Sequence, residues 1–365
     1  MSELAVLLRR MIRDRGPLDI GTYMQLVMGH PTLGYYATRD PFGRQGDFVT
    51  APEISQIFGE LLGLALAQRW LDLGRPERVR LVEMGPGRGT LMADAWRAAR
   101  GVTGFAATAS LHLVETSRHL RRLQATKLAG VSVQWHDTLA EVPDDAPLLL
   151  VANELLDALP VRQFERSLAG WRECLVTLAS NDRLAFATAA GRSPFHATLM
   201  QRYPGAAIGA VVELSPAREA VAAEIGRRLA AHDGLALLID YGSRRLAGPT
   251  LQAVRGHATA DPLEAPGEAD VSSHVDFGVL AEVAMEQGAA AWGSLAQGEL
   301  LLRLGAEARL ARLIQGQPPA RAEALRQGIE RLIDPAQMGA LFVALALSRG
   351  NAPPPGFTLE DRYCP

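Results

Sequence analysis

Residues 79–90 read Val-Arg-Leu-Val-Glu-Met-Gly-Pro-Gly-Arg-Gly-Thr, and a helix-compatible run follows from 91 to 99. The stretch begins as an apolar strand and ends in three alternating glycines. Strand, glycine turn and helix in that order bring bare backbone and a helix N-terminus to a ligand at the carboxyl end of a parallel strand. The expected architecture is therefore an α/β sheet with its site above this strand end.

The spacing narrows the ligand. A dinucleotide fingerprint would need a glycine five positions after Gly85, where Thr90 stands, and no P-loop lysine follows. Glu83, two residues before the first glycine, suits a cationic amino group. Gly85, Gly87 and Gly89 carry no Cβ and suit a flat, extended ligand. S-adenosyl-L-methionine combines both features, so Glu83, Gly85, Gly87, Gly89 and Thr90 are the expected cofactor residues. The competing reading is a glycine turn that only packs helix on sheet.

Alternation of strand and helix continues the sheet. A second strand, 110–115, ends in Glu115, placed to accept the two ribose hydroxyls. It lies 30 residues past Gly85, beyond the usual offset of about 20, and the loop at 101–108 absorbs the difference. The third strand, 131–136, is followed by Asp137, expected near an adenine amino group or, on the competing reading, at a helix cap. The fourth, 147–152, is the most apolar in the chain and runs into Asn153 and Glu154. Polar groups directly after a buried strand are costly without partners. Asn153 and Glu154 are thus expected at the transferred group, and a helical turn would put Asp157 on the face of Glu154. A fifth strand is expected at 235–239 and further strands at 251–257 and 290–295.

The expected domains are a helical and loop extension over 1–75, a core over 76–296 with a β insertion at about 161–212, a helical insertion over 297–337, and a final core segment and tail over 338–365. Helices are expected at 1–15, 19–30, 54–73 and 216–232, with amphipathic ones at 299–315 and 320–333. The stretch 258–273 reads as an acidic loop. The polar loop 46–55 precedes the sheet and is placed to fold over a cofactor, or simply to connect; Thr50 or Ser55 would cap the helix after it.

Composition excludes several classes. A net charge of −3 gives no basis for nonspecific nucleic-acid binding. The two cysteines, Cys174 and Cys364, form neither a disulfide framework nor a zinc site. No apolar run reaches bilayer-spanning length. The first residues alternate leucines with arginines, but Glu3 and Asp14 argue against a transit peptide. The histidines lack metal-ligand spacing, no Ser-His-Asp or Cys-His arrangement stands out, and no Asn/Asp-Pro-Pro-aromatic tetrapeptide of nucleobase methyltransferases follows the fourth strand.

Methyl transfer from a sulfonium mainly needs alignment and exclusion of water. A guanidinium acceptor is protonated at neutral pH, and carboxylates can orient it and take its proton. Glu154 is the best-placed candidate, with Glu53, Asp157 and Glu173 behind it.

Blocks along nearly the whole chain resemble the MidA family of class I methyltransferases. They include Gly34-Tyr35-Tyr36, Pro52-Glu53-Ile54-Ser55-Gln56, Glu83 to Thr90, Asn153-Glu154 with Asp157-Ala158-Leu159-Pro160-Val161, Gly170-Trp171-Arg172-Glu173, Asp240-Tyr241-Gly242, Asp270-Val271 with Val275-Asp276-Phe277, and Pro355-Gly356-Phe357. The loop Glu268 to Asp276 departs from the family pattern. The resemblance implies a Rossmann-like class I S-adenosyl-L-methionine-dependent methyltransferase sheet with an N-terminal helical extension, an inserted β unit and a C-terminal helical insertion. It implies cofactor contacts at Gly85, Gly87 and Glu115. It also implies symmetric dimethylation of an arginine in the quinone-side subunit of respiratory complex I during assembly. The expected partner is that protein substrate, without nucleic acid or stable membrane insertion, and a homodimer stays open. The expected location is a bacterial cytoplasm, or the mitochondrial matrix in a eukaryote. An assembly chaperone that binds the cofactor and a small-molecule methyltransferase are the alternatives.

Overall fold

The computed structural model describes residues 2–38, 50–246 and 248–365, which fall into two compact units. One comprises Met1–Phe48, Asp157–Arg218 and Leu246–His274; the other comprises Val49–Leu156, Glu219–Arg245 and Val275–Pro365. These bounds differ from the expected domains: the first helices and the β insertion share one unit, and the last helix of the expected extension and the helical insertion belong to the other. Gly46 to Val49, in the polar loop expected over the cofactor, lie outside the described residues.

In the first unit, Asp19 caps the helix Ile20–Gly29 by accepting the Thr22 N–H at 2.9 Å. Its buried face, Ile20, Tyr23, Met24 and Val27, joins Leu4 and Leu8 of the helix Glu3–Arg15 in one core with Val176 and Val271. Strands Arg162–Ser167, Gly170–Leu178, Leu184–Thr188 and Val211–Leu214 lie in the stretch read as a β insertion, joined by Leu18–Asp19 in an antiparallel sheet. The stretch read as an acidic loop is partly strand. Ala258–Ala260 and Asp270–Ser272 flank Gln252–Arg255, which satisfies backbone groups that a loop would leave to solvent. Buried Arg218 donates to the carbonyls of His274 at 2.7 Å and Ser273 at 3.0 Å, and to that of Asp157 at 3.1 Å.

The second unit is built on strands β1 (Val79–Met84), β2 (Ala109–Val114), β3 (Val133–His136), β4 (Leu148–Asn153), β5 (Gly234–Ser243), β6 (Ala290–Ala296) and β7 (Phe342–Ser348). Their order is β6-β7-β5-β4-β1-β2-β3, with Val275–Asp276 added beside the end of β5. β1 to β5 run parallel, and β7 is antiparallel to both β5 and β6. β4, buried at every position, pairs β1 with Met84 opposite Ala152. The chain winds outward in opposite directions from β1 and β4, so their carboxyl ends open a crevice at the switch point.

Helix α1 (Gln56–Asp72) follows Ser55, whose side chain accepts the Ile57 N–H at 3.3 Å. It packs on α2 (Thr90–Ala99), the helix after the glycine turn, because Gly59 and Gly63 let the backbones meet. A Cβ at Gly63 would stand 2.4 Å from the Ala95 carbonyl oxygen. Buried Glu60 accepts from Arg97 at 2.8 Å and from Arg309 of α5 (Ala306–Ile314) at 2.7 Å. Burial alone would raise this carboxyl; the two arginines outweigh it and hold the group below its ordinary range. The helical insertion, α4 (Gln297–Arg303), α5 and α6 (Pro319–Ile333), is thereby tied to α1 and α2. Among the described residues, no helix is long and apolar enough to cross a membrane.

Candidate cofactor and acceptor site

Gly85, Gly87 and Gly89 follow β1 with φ of 65°, 51° and 80°, the left-handed region that costs glycine little. The Gly85 N–H prolongs the β1–β2 pairing to the Val114 carbonyl at 3.0 Å, and the Gly89 N–H closes the turn on the Pro86 carbonyl at 2.7 Å. A Cβ on Gly85 would lie 2.7 Å from Leu155 Cδ1, so the glycine also makes room for the residue after Glu154.

Glu83 lies inside β1 and is only 3% exposed. Burial pushes its carboxyl up to about 8; the Met92 backbone N–H pulls the other way and negative Glu115 adds to the rise. Its Oε2 is buried with no hydrogen-bond partner among the described residues. Asn153 Oδ1, at the end of β4, is in the same condition. Two orphaned acceptors flanking a glycine turn fit a ligand that brings donors, one of them cationic.

Glu115 stands just beyond β2, its N–H on the His136 carbonyl at 2.9 Å. Its Oε1 accepts the Ser117 N–H at 2.8 Å and its Oε2 accepts the Gln124 amide at 3.2 Å. Burial raises this carboxyl, and those donors and the Thr116 N–H moderate the rise. Asp137 is exposed and salt-bridged to Arg121 at 2.6 Å, so its carboxylate is engaged by a neighbouring helix.

Just beyond β4, Glu154 adopts φ of 51°, a left-handed backbone on a non-glycine residue. The Glu154 N–H reaches the Ile239 carbonyl at 3.0 Å, and the Leu156 N–H reaches Oδ2 of buried Asp240 at 2.8 Å. Two donors orient the Glu154 side chain at Oε1: the Ala51 N–H at 3.0 Å and the Asn153 amide at 2.9 Å. Glu53, in the adjoining turn Ala51–Ile54, accepts the Thr90 hydroxyl at 2.5 Å.

The helical turn expected after β4 does not form. The left-handed Glu154 breaks it, so Asp157 shares no helix face with Glu154 and falls in the first unit. Glu173, also in the first unit, is held bidentately by Arg162 at 2.6 and 2.8 Å. Sequence reasoning missed Gln124 and the role of Asp240. A signal for Gln124 existed: it stands four residues after Leu120, on the only buried face of α3 (Arg118–Lys127), where an apolar residue would be ordinary.

Comparison with known proteins gives the family of the chain. Residues 61–295 match the model of a family described as S-adenosyl-L-methionine-dependent methyltransferases. The chain is 36% identical to the mitochondrial protein arginine methyltransferase NDUFAF7 homolog of Drosophila melanogaster, covering 95% of this chain and 85% of the relative. It is 34% identical to human mitochondrial protein arginine methyltransferase NDUFAF7, covering 92% and 81%. A crystal structure of a Burkholderia thailandensis protein bound to S-adenosyl-homocysteine is similar at 30% identity and TM-score 0.80, covering 95% of this chain and 92% of that one.

Proposed function

Because the chain belongs to this family of S-adenosyl-L-methionine-dependent methyltransferases, we propose that it transfers methyl groups to an arginine of a protein. The finer reading is symmetric dimethylation in the quinone-side subunit of respiratory complex I during assembly. The observation that carries the acceptor assignment is the Glu154 carboxylate, oriented by Ala51 and Asn153 just beyond β4, the strand paired in register with β1, which runs into the glycine turn. The names of the mitochondrial relatives support arginine as the acceptor.

In this reading the cofactor supplies an electrophilic methyl on a sulfonium. Glu83 and Asn153 receive its polar methionine end, the glycine turn lies along it and Glu115 holds its ribose hydroxyls. Glu154 accepts N–H groups of the acceptor guanidinium, localises its charge and takes the proton released as the N–C bond forms. Asp157 enters only through its place in the sequence, three residues on; Glu53 fastens the Ala51 turn to Thr90.

The test is transfer of labelled methyl from S-adenosyl-L-methionine into a lysate lacking the gene, followed by mass spectrometry of the labelled band. Dimethylarginine on the quinone-side subunit is expected. Label confined to free metabolites would replace the acceptor class. Binding of S-adenosyl-homocysteine without any label would favour an assembly chaperone.

A further inference from the structure

Gln124 is fully buried, and both ends of its amide are engaged. Its Nε2 donates to the Gly87 carbonyl at 2.8 Å and to Glu115 Oε2 at 3.2 Å. Its Oε1 accepts the Trp135 indole N–H at 2.9 Å. The partners fix which way the amide faces: an indole nitrogen only donates and a backbone carbonyl only accepts, so reversal would set donor against donor and acceptor against acceptor. Of the three groups it joins, one lies in the glycine turn, one follows β2 and one lies in β3. The Ser117 N–H meanwhile holds Oε1 of Glu115 and the Thr116 N–H also donates to this carboxylate, so both oxygens are held while the carboxylate keeps a lone pair for a further donor.

We propose that Gln124 is a positioning residue that aims the Glu115 carboxylate at the ribose hydroxyls and locks it to the glycine turn, so that the ribose and methionine halves of the cofactor are bound in one register. The proposal rests on the reading that Glu115 receives those hydroxyls. Its chemistry is specific to an amide. A glutamate at 124 would face two acceptors with an acceptor, and an apolar isostere would leave Oε2 of Glu115 without this donor, the carboxylate then being held by the Ser117 and Thr116 N–H groups without a tie to the glycine turn.

The test compares the affinities of S-adenosyl-homocysteine and its 2′,3′-dideoxy analogue, measured by calorimetry on the full chain. The ratio of the two affinities reports the ribose hydroxyl contacts alone. The proteins are wild type, Gln124→Met, Glu115→Gln and Trp135→Phe. Wild type is expected to prefer the hydroxylated ligand by roughly a hundredfold, the scale of two charge-assisted hydrogen bonds. Gln124→Met should cut that preference about tenfold. Trp135→Phe, which frees the amide without removing it, should shift the ratio the same way by less, and it carries the test if Gln124→Met does not fold. Equal weakening of both ligands by Gln124→Met would mean a merely structural role and overturn the proposal, as would an unchanged ratio. If Glu115→Gln keeps the wild-type preference, the ribose reading itself falls and this proposal with it. If Glu115→Gln loses the preference while Gln124→Met retains it, only the role of Gln124 is lost.

Discussion

The proposed cofactor side of the site turns at Gly85, Gly87 and Gly89, with φ of 65°, 51° and 80°, and the proposed acceptor side turns at Glu154, with φ of 51°. The backbone enters the left-handed region in both places. At the glycines no Cβ opposes it. At Glu154 the same conformation costs about 1–2 kcal/mol, and bonds from residues distant in sequence hold it: Ile239, Asp240 and Ala51. Strain that the surroundings must sustain concentrates where a side chain has a task. The comparison teaches that the cofactor side is locally encoded, whereas the acceptor side is assembled by β5 and the turn before α1.

The sharpest way to break this comparison is Glu154→Gln. The amide keeps an acceptor for the Ala51 N–H and similar shape but loses the charge that orients a guanidinium. Methyl transfer into protein should fall by roughly a thousandfold, while S-adenosyl-homocysteine affinity stays within about twofold. A parallel loss of affinity, read by calorimetry, would show that the two sides are not separable.

Gly85→Ala tests where the two sides touch. The new methyl would combine a left-handed φ of 65° with a contact 2.7 Å from Leu155 Cδ1. Stability should drop by about 2–4 kcal/mol, read from the denaturant midpoint, and cofactor affinity and methyl transfer should fall together. Stability within about 0.5 kcal/mol of wild type would mean that Leu155 gives way and that the sides are mechanically independent.

The smallest effect is expected from Glu83→Gln, which sharpens the cofactor side. Native Glu83 keeps its proton to about pH 8, against an ordinary value of 4.5. Between those values the native state binds more protons than the unfolded chain, so this group makes stability fall as pH rises. The variant should lose that slope and melt a few degrees above wild type at the upper end of the window. Near the lower end the difference should vanish. Its affinity for S-adenosyl-homocysteine should drop about tenfold. Identical melting profiles across the window would remove Glu83 as a proton-linked cofactor ligand.

Much of this protein is legible in the chain alone. The period-two and apolar runs mark six of the seven core strands, the apolar run that holds β7 reading only as a final core segment, and Ser55 announces the helix it caps. The glycine turn and its cofactor class follow from spacing, because positive φ and close backbone approach are properties of glycine wherever it stands. Glu115 and Glu154 are legible as residues just beyond strand ends, where open α/β sheets bind ligands.

Only the tertiary structure decides what those side chains do next. It opens the helix expected at 154–157, diverts Asp157 into the other unit, gives Asp137 to Arg121, and brings Gln124 to Glu115, Gly87 and Trp135. Local pattern encodes period and φ preference, which depend on a residue and its near neighbours. Hydrogen-bond partnership and burial depend on which distant segments the sheet order lays side by side, and a single sequence carries no distance between them.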